Sequence, residues 1–168
     1  IELEEAALSL DVTSDASGTL HLAYVVPMAT ERVPVGLYHR RSTNAGGSWS
    51  TPVAIHESRY LRLLAAEEEP FRLTADSRDH LFATWNDPLS GPTVAISTDA
   101  GATWQEPRPV AISDEYPQQN QMIALPGRPE PLLWEPASEP GGLLAVSATD
   151  NALTLARWDG VRWSEARH

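Results

Sequence analysis

The octapeptide Ser42-Thr43-Asn44-Ala45-Gly46-Gly47-Ser48-Trp49 recurs as Ser97-Thr98-Asp99-Ala100-Gly101-Ala102-Thr103-Trp104, 55 residues further on. A worn third copy, Arg157-Trp158-Asp159-Gly160-Val161-Arg162-Trp163, places its last tryptophan 59 residues after Trp104. A second element keeps step with the first: Gly18-Thr19-Leu20-His21-Leu22-Ala23-Tyr24 matches Asp79 to Trp85 and Gly142 to Val146, with the leucines 61 and 62 residues apart. Two elements repeating in one order three times set the architecture, because each unit of a repeat fold buries its apolar face against the next. The chain divides into units of about 55 to 60 residues, with expected boundaries 1–58, 59–115 and 116–168.

Each unit reads as four short antiparallel strands, since short apolar-alternating runs are bounded by Gly, Pro, Asn and Asp. In the second unit the expected strands are Phe71 to Ala75, His80 to Trp85 and Thr93 to Ser97, with a turn at Asp76 to Asp79, a loop at Asn86 to Pro92 and an edge strand after Trp104. Helical periodicity is confined to Tyr60 to Glu69, which Pro70 ends. The octapeptide has a physical logic of its own. Its Asx side chain bonds backbone groups two residues on, its glycine supplies a positive φ, and its tryptophan anchors the next strand.

The pattern Ser-x-Asx-x-Gly-x-Ser/Thr-Trp resembles the Asp-box, or bacterial neuraminidase repeat, of sialidase-like β-propellers. The resemblance rests on Ser42, Asn44, Gly46 and Trp49, on Ser97, Asp99, Gly101, Thr103 and Trp104, and on the degenerate Asp159, Gly160 and Trp163. It implies an all-β fold of three four-stranded blades belonging to a six-bladed ring, and an extracytoplasmic location. Asp-boxes lie on the blade periphery, so these residues are expected to be structural. WD40 and kelch repeats fit worse in length and in the placement of their glycines.

Three blades are half of such a ring. Closure requires further blades from the same longer chain or from a partner subunit, because an open stack leaves an apolar face at each end. The start at Ile1, with no initiator Met, fits a processed chain or a piece of a longer one.

Composition narrows the partners. Twelve basic residues, all arginine, against 23 acids give a net charge of −11. That balance argues against nucleic acid, whose binding draws on cationic side chains, and against anionic membranes. The longest apolar stretch, near Leu20 to Ala29, is too short to span a bilayer. With no cysteine there is no disulfide framework and no thiolate zinc site. The histidines lack metal-ligand spacing, and His21 and His80, flanking the repeated leucines, read as lying on opposite strand faces. No cofactor fingerprint is present, and acidic pairs such as Asp11/Asp15 and Asp76/Asp79 lack the oxygen density of a calcium loop.

A sialidase resemblance also implies an arginine cluster, a Tyr/Glu nucleophile couple and an Asp acid/base. Phe71-Arg72-Leu73-Thr74 approaches the arginine motif of that family, with Thr74 where proline is usual, so Arg72 is the candidate remnant. Arg59 and Arg62 are further arginines near an inner strand. Asp87 is the candidate acid, with turn formation as its alternative role. Glu115 and Tyr116 are strand neighbours and point to opposite faces. No set of groups meets the geometry of a catalytic centre. The leading expectation is a non-catalytic binding or scaffold module with a glycan or protein ligand. The alternative is part of a glycoside hydrolase completed by residues outside this segment.

Overall fold

The computed structural model describes residues 6–66, 71–76, 78–109, 133–136, 143–149 and 152–158. Three antiparallel sheets follow one another along the chain. The first joins β1 (Ser9–Ser14), β2 (Leu20–Val26), β3 (Gly36–Ser42) and β4 (Val53–Glu57) in that order. The second joins β5 (Phe71–Ala75), β6 (Leu81–Asp87), β7 (Gly91–Ser97) and the short β8 (Arg108–Pro109). The third contains β9 (Leu133–Pro136), β10 (Leu143–Thr149) and β11 (Ala152–Trp158), in the order β11-β10-β9. These are blades of a β-propeller, each a meander in which sequence neighbours pair. β1 lies beside β5, and β5 beside β9, so the first strands of successive blades are adjacent.

The registers repeat as the sequence does. Leu20 pairs with Ser42, Leu81 with Ser97 and Leu143 with Trp158. Trp158 therefore stands where the first two units carry the serine that opens the octapeptide. Residues 159–168 lie outside the described set, so the third octapeptide's Asp159, Gly160 and Trp163 receive no structural account.

Two elements differ from expectation. The loop expected over 86–92 is a tight hairpin, because β6 continues through Asp87 and β7 begins at Gly91, whose φ is +74°. The expected helix is a 3-10 helix over Arg59–Ala66, with Leu61 and Leu64 turned into the core.

The main core is the seam between the first two blades. Ala23, Val25, Leu37 and Ile55 of the first meet Phe71, Leu73, Leu81, Ala83, Trp85 and Ala95 of the second, and Leu61 and Leu64 fill the gap between them. Fully burying a leucine or phenylalanine contributes roughly 1.5–3 kcal/mol, so this seam is the largest favourable block in the described structure. A second cluster on the outer face of the first blade joins Leu22, Tyr24, Val26 and Tyr38, with Trp49 packed against it.

The two octapeptide turns are hydrogen-bonded alike. In the first, Gly46 N donates to Ser42 Oγ at 2.9 Å and Ser48 N to Asn44 Oδ1 at 2.9 Å. In the second, Gly101 N donates to Ser97 Oγ at 2.9 Å and Thr103 N to Asp99 Oδ1 at 2.9 Å. Ala45 and Gly46, like Ala100 and Gly101, have positive φ. The turns differ in what surrounds them. Gly101 is buried against His39 of the preceding blade, while the nearest atom to a Cβ at Gly46 is its own Trp49, at 4.0 Å. Trp104 meets His39 edge-on at 5.5 Å, and Arg41 Nη1 donates to Ala100 O at 3.3 Å. The second turn is thus a clasp between blades.

This contrast predicts unequal costs for one substitution. Gly46→Ala carries only the positive-φ penalty, about 1 kcal/mol. Gly101→Ala adds an overlap of the new Cβ with the His39 imidazole, and overpacking of this kind brings a further ~1–3 kcal/mol. Urea unfolding of the two variants measures the difference directly; equal losses would refute the clasp.

Candidate functional site

Strand direction divides each blade into two ends. The β1–β2 and β3–β4 connections, with their equivalents in the second blade, share one end, where the octapeptide turns lie. The opposite end gathers the β2–β3 loop (27–35), the 3-10 helix, the β6–β7 turn (88–90) and the starts of β1 and β5. The candidates Arg59, Arg62, Arg72 and Asp87 all belong to this second end. So do three exposed apolar side chains, Met28, Leu63 and Leu89.

Arg72 is exposed on β5, between the buried Phe71 and Leu73. It pairs in register with Thr84, as Asp11 on β1 pairs with Ala23, so Asp11 and Arg72 hold the same place in successive blades. Asp11 bridges the two inner strands: its Oδ2 accepts from Leu73 N at 2.8 Å. Arg59 stacks over Tyr60, with its guanidinium carbon 4.9 Å from the ring centroid and its Nη2 donating to the Tyr60 hydroxyl at 2.8 Å. Cation–aromatic pairing of this kind gives an exposed platform that carries both charge and a flat apolar surface. Glu115 and Tyr116 lie outside the described residues.

Asp87 has a full set of donors. Its Oδ1 accepts from Leu89 N at 2.9 Å and from Ser90 N and Ser90 Oγ at 3.0 Å; its Oδ2 accepts from Trp85 Nε1 at 3.3 Å. Burial pushes this carboxyl's pKa up, but the bonds from Leu89, Ser90 and Trp85 outweigh it and hold the group below the ordinary value. The result is an ionised acceptor that closes the hairpin. It explains why a tight turn replaces the expected loop.

The densest polar cluster is at the other end, and its connections escape a reading of the sequence. Asp15, His21 and His39 form a buried chain. Asp15 Oδ1 accepts from Ser17 N and Thr19 N at 3.0 and 2.8 Å, and Asp15 Oδ2 meets His21 Nε2 at 3.0 Å. His21 Nδ1 meets His39 Nε2 at 3.0 Å. Both histidines are at most 1% exposed. Burial raises the Asp15 pKa, but the bonds from His21, Ser17 and Thr19 bring it below the ordinary value, so the carboxylate is the fixed acceptor. His39 Nδ1, at the far end of the chain, has no hydrogen-bond partner. It faces the Gly101 backbone of the next blade.

His80 corrects an expectation. Its Nδ1 lies 3.0 Å from Asp76 Oδ2, and Asp76 Oδ1 accepts from Arg78 N and His80 N, as Asp15 accepts from Ser17 N and Thr19 N. Measured from the aligned Leu20 and Leu81, His21 stands one residue after and His80 one residue before. They are two apart in register, share a strand face, and bond equivalent carboxylates. Among the described residues no group of three or more His, Cys, Asp or Glu side chains is placed to hold a metal ion, and no helix is long and apolar enough to cross a membrane.

No family model and no curated protein matches the chain. Solved structures do match. An α-L-arabinofuranosidase of Fusarium graminearum in complex with an iminosugar inhibitor aligns over 96% of this chain, at 18% identity and a TM-score of 0.52. An α-L-arabinanase of Penicillium chrysogenum with bound arabinobiose aligns over 95%, at 16% identity and a TM-score of 0.52. A protein of unknown function from Dyadobacter fermentans aligns over 93%, at 17% identity and the same score. The chain spans about half the length of each, 48%, 48% and 49%. At these identities the likeness shows the fold: an all-β assembly of antiparallel propeller blades.

The histidine chain gives a signed pH dependence. Burial, then the neighbouring His21 and Arg41, lower the His39 pKa from 6.5 to about 4, against a smaller raising effect of the Gly101 carbonyl. The unfolded chain binds this proton near 6.5 and the folded chain only near 4, so stability is full above about pH 6.5, declines as the pH falls from about 6.5 to about 4 and levels off below that. The expected slope is on the order of 1 kcal/mol per pH unit. Urea midpoints between pH 7 and 4.5 should decline steeply in the parent and distinctly less in His39→Gln, which keeps a hydrogen-bonding group toward His21.

Proposed function

We propose that the chain supplies blades of a larger sialidase-like, Asp-box propeller that acts outside the cytoplasm and binds a carbohydrate at the end opposite the Asp-boxes, without catalysis by these blades. One contrast at that end carries the reading. The candidate acid Asp87 is occupied by four hydrogen bonds as a turn acceptor, whereas Arg59 and Tyr60 form a stacked cation–aromatic pair at the same end of the fold. Arginine with a flat aromatic ring suits sugar faces and carboxylates. The known activities of the arabinofuranosidase and arabinanase support a glycan as the ligand class.

Calorimetric titration with sialyl and arabinosyl oligosaccharides tests this. Binding is expected, weakened about tenfold in Tyr60→Ala, a loss of about 1.4 kcal/mol, with no turnover of fluorogenic sialosides or arabinofuranosides.

The second reading, a portion of a glycoside hydrolase domain, is favoured by Arg72 in its Phe-Arg-Leu setting and by the same structural neighbours. Hydrolysis by the chain that disappears in Arg72→Ala would replace the first reading with the second.

A further inference from the structure

We propose that His56 is a sugar-binding residue, an imidazole that a β-bulge turns over the seam between the first two blades, where it hydrogen-bonds a saccharide hydroxyl. The assignment rests on the carbohydrate reading of this end of the fold, and it adds a group that touches the ligand.

The bulge carries it. In the antiparallel pair of β3 and β4, Tyr38 stands opposite Ala54 and Leu37 opposite His56, so Ile55 is an extra residue on β4. Successive side chains of a regular strand alternate between faces. Ala54 packs on the cluster of Tyr24 and Tyr38, and Ile55, on the other face, joins the seam. Regular alternation would return His56 to the side of Ala54. The bulge instead gives it the face of its register partner Leu37, which lies in the seam. There the imidazole stacks on Trp85 of the second blade, with ring centroids 5.9 Å and planes 24° apart. Ile55 reaches the seam with or without a bulge, so the extra residue re-aims His56 alone. Bulges re-aim side chains in this way beside active sites.

The indole beneath is fixed. Trp85 is 3% exposed, and its Nε1 donates to Asp87 Oδ2 at 3.3 Å. His56 itself is half-buried, and its ring nitrogens have no hydrogen-bond partner among the described residues. That separates it from His21, His39 and His80, each bonded to a carboxylate or to another histidine. In its neutral form an imidazole offers one donor and one acceptor, and a hydroxyl can meet either. Arg59 follows His56 by three residues, a chain span of at most about 11 Å. A short oligosaccharide can therefore lie on the Arg59–Tyr60 pair and reach the imidazole.

Titration calorimetry with arabinotriose and with sialyllactose tests the assignment by comparing the parent with His56→Phe, which keeps a ring for Trp85 and removes both nitrogens. The variant should retain the parent's melting temperature and bind about fivefold more weakly, the contribution of one neutral hydrogen bond. Footprinting of the parent with diethylpyrocarbonate, which modifies accessible imidazole nitrogens, gives a readout that a packing role does not move. Saturating sugar should slow modification of His56. It should leave unchanged that of His80, whose side chain is 25% exposed at the octapeptide end. Should His56→Phe fail to fold, the footprint decides alone. Unchanged affinity in His56→Phe beside weakened binding in Tyr60→Ala overturns the assignment and leaves the proposed function standing. So does a His56 footprint indifferent to sugar, or one matched at His80. A parent that binds neither saccharide removes both.

Discussion

The contact between the His39 ring of the first blade and the Gly101 backbone of the second fixes how the two blades meet. It permits no side chain at residue 101, and it sets the orientation of a turn whose other groups are already bonded to each other. Ser97 Oγ donates to Asp99 Oδ1 at 2.7 Å, and Thr103 Oγ1 donates to Asp99 Oδ2 at 2.6 Å. Burial raises the Asp99 pKa, yet these bonds hold the carboxyl below its ordinary value, so the turn is an ionised and internally satisfied unit before it docks. A rigid turn pressed on a ring that is itself held by His21 and Asp15 transmits its position through the sheet. The apolar seam beneath then supplies most of the favourable energy, and the clasp supplies its register.

The repeat made the sheets legible because its period is the period of that seam. Leu20, Leu81 and Leu143 each pair with the residue that opens or replaces the octapeptide, so the matched strings in the sequence are the matched registers in the structure. Phe71 to Ala75 and the turn after it follow from the alternation of one strand and from the hydrogen-bonding habits of aspartate. What stayed hidden depends on pairing at a distance. The Asp15–His21–His39 chain joins a turn to two strands 18 residues apart, and no local spacing marks it. His80 was hidden differently: the eye aligns it with His21, while the register sets the two at places two residues apart that serve equivalent carboxylates. The Asp87 hairpin was legible as a turn but not as a tight one, since four donors converging on one carboxylate appear only when Trp85 and Ser90 are placed around it.

Four aspartates of the described residues serve as architectural devices. Asp15, Asp76, Asp87 and Asp99 each accept backbone N–H groups at a turn, and each shortens a connection that would otherwise need more residues. The carboxylates best held are the ones least able to exchange a proton near neutrality, because the donors that fix them also stabilise the charge.

Repetition and ligand recognition make opposite demands on the same strands. A seam is served by equivalence, and so the matched positions, from Ser42 and Ser97 to Gly46 and Gly101, are structural in both blades. A ligand on the axis of a ring meets each blade once and in a different place, so the residues that touch it must break the repeat. The first strands are where equivalence fails most sharply. One register position carries Asp11 in the first blade, Arg72 in the second and Leu133 in the third. Asp11 is engaged in holding the second blade's backbone, and the same register position changes charge at Arg72. Chemistry specific to this protein is therefore to be sought along that inner line rather than in the turns that reveal the fold.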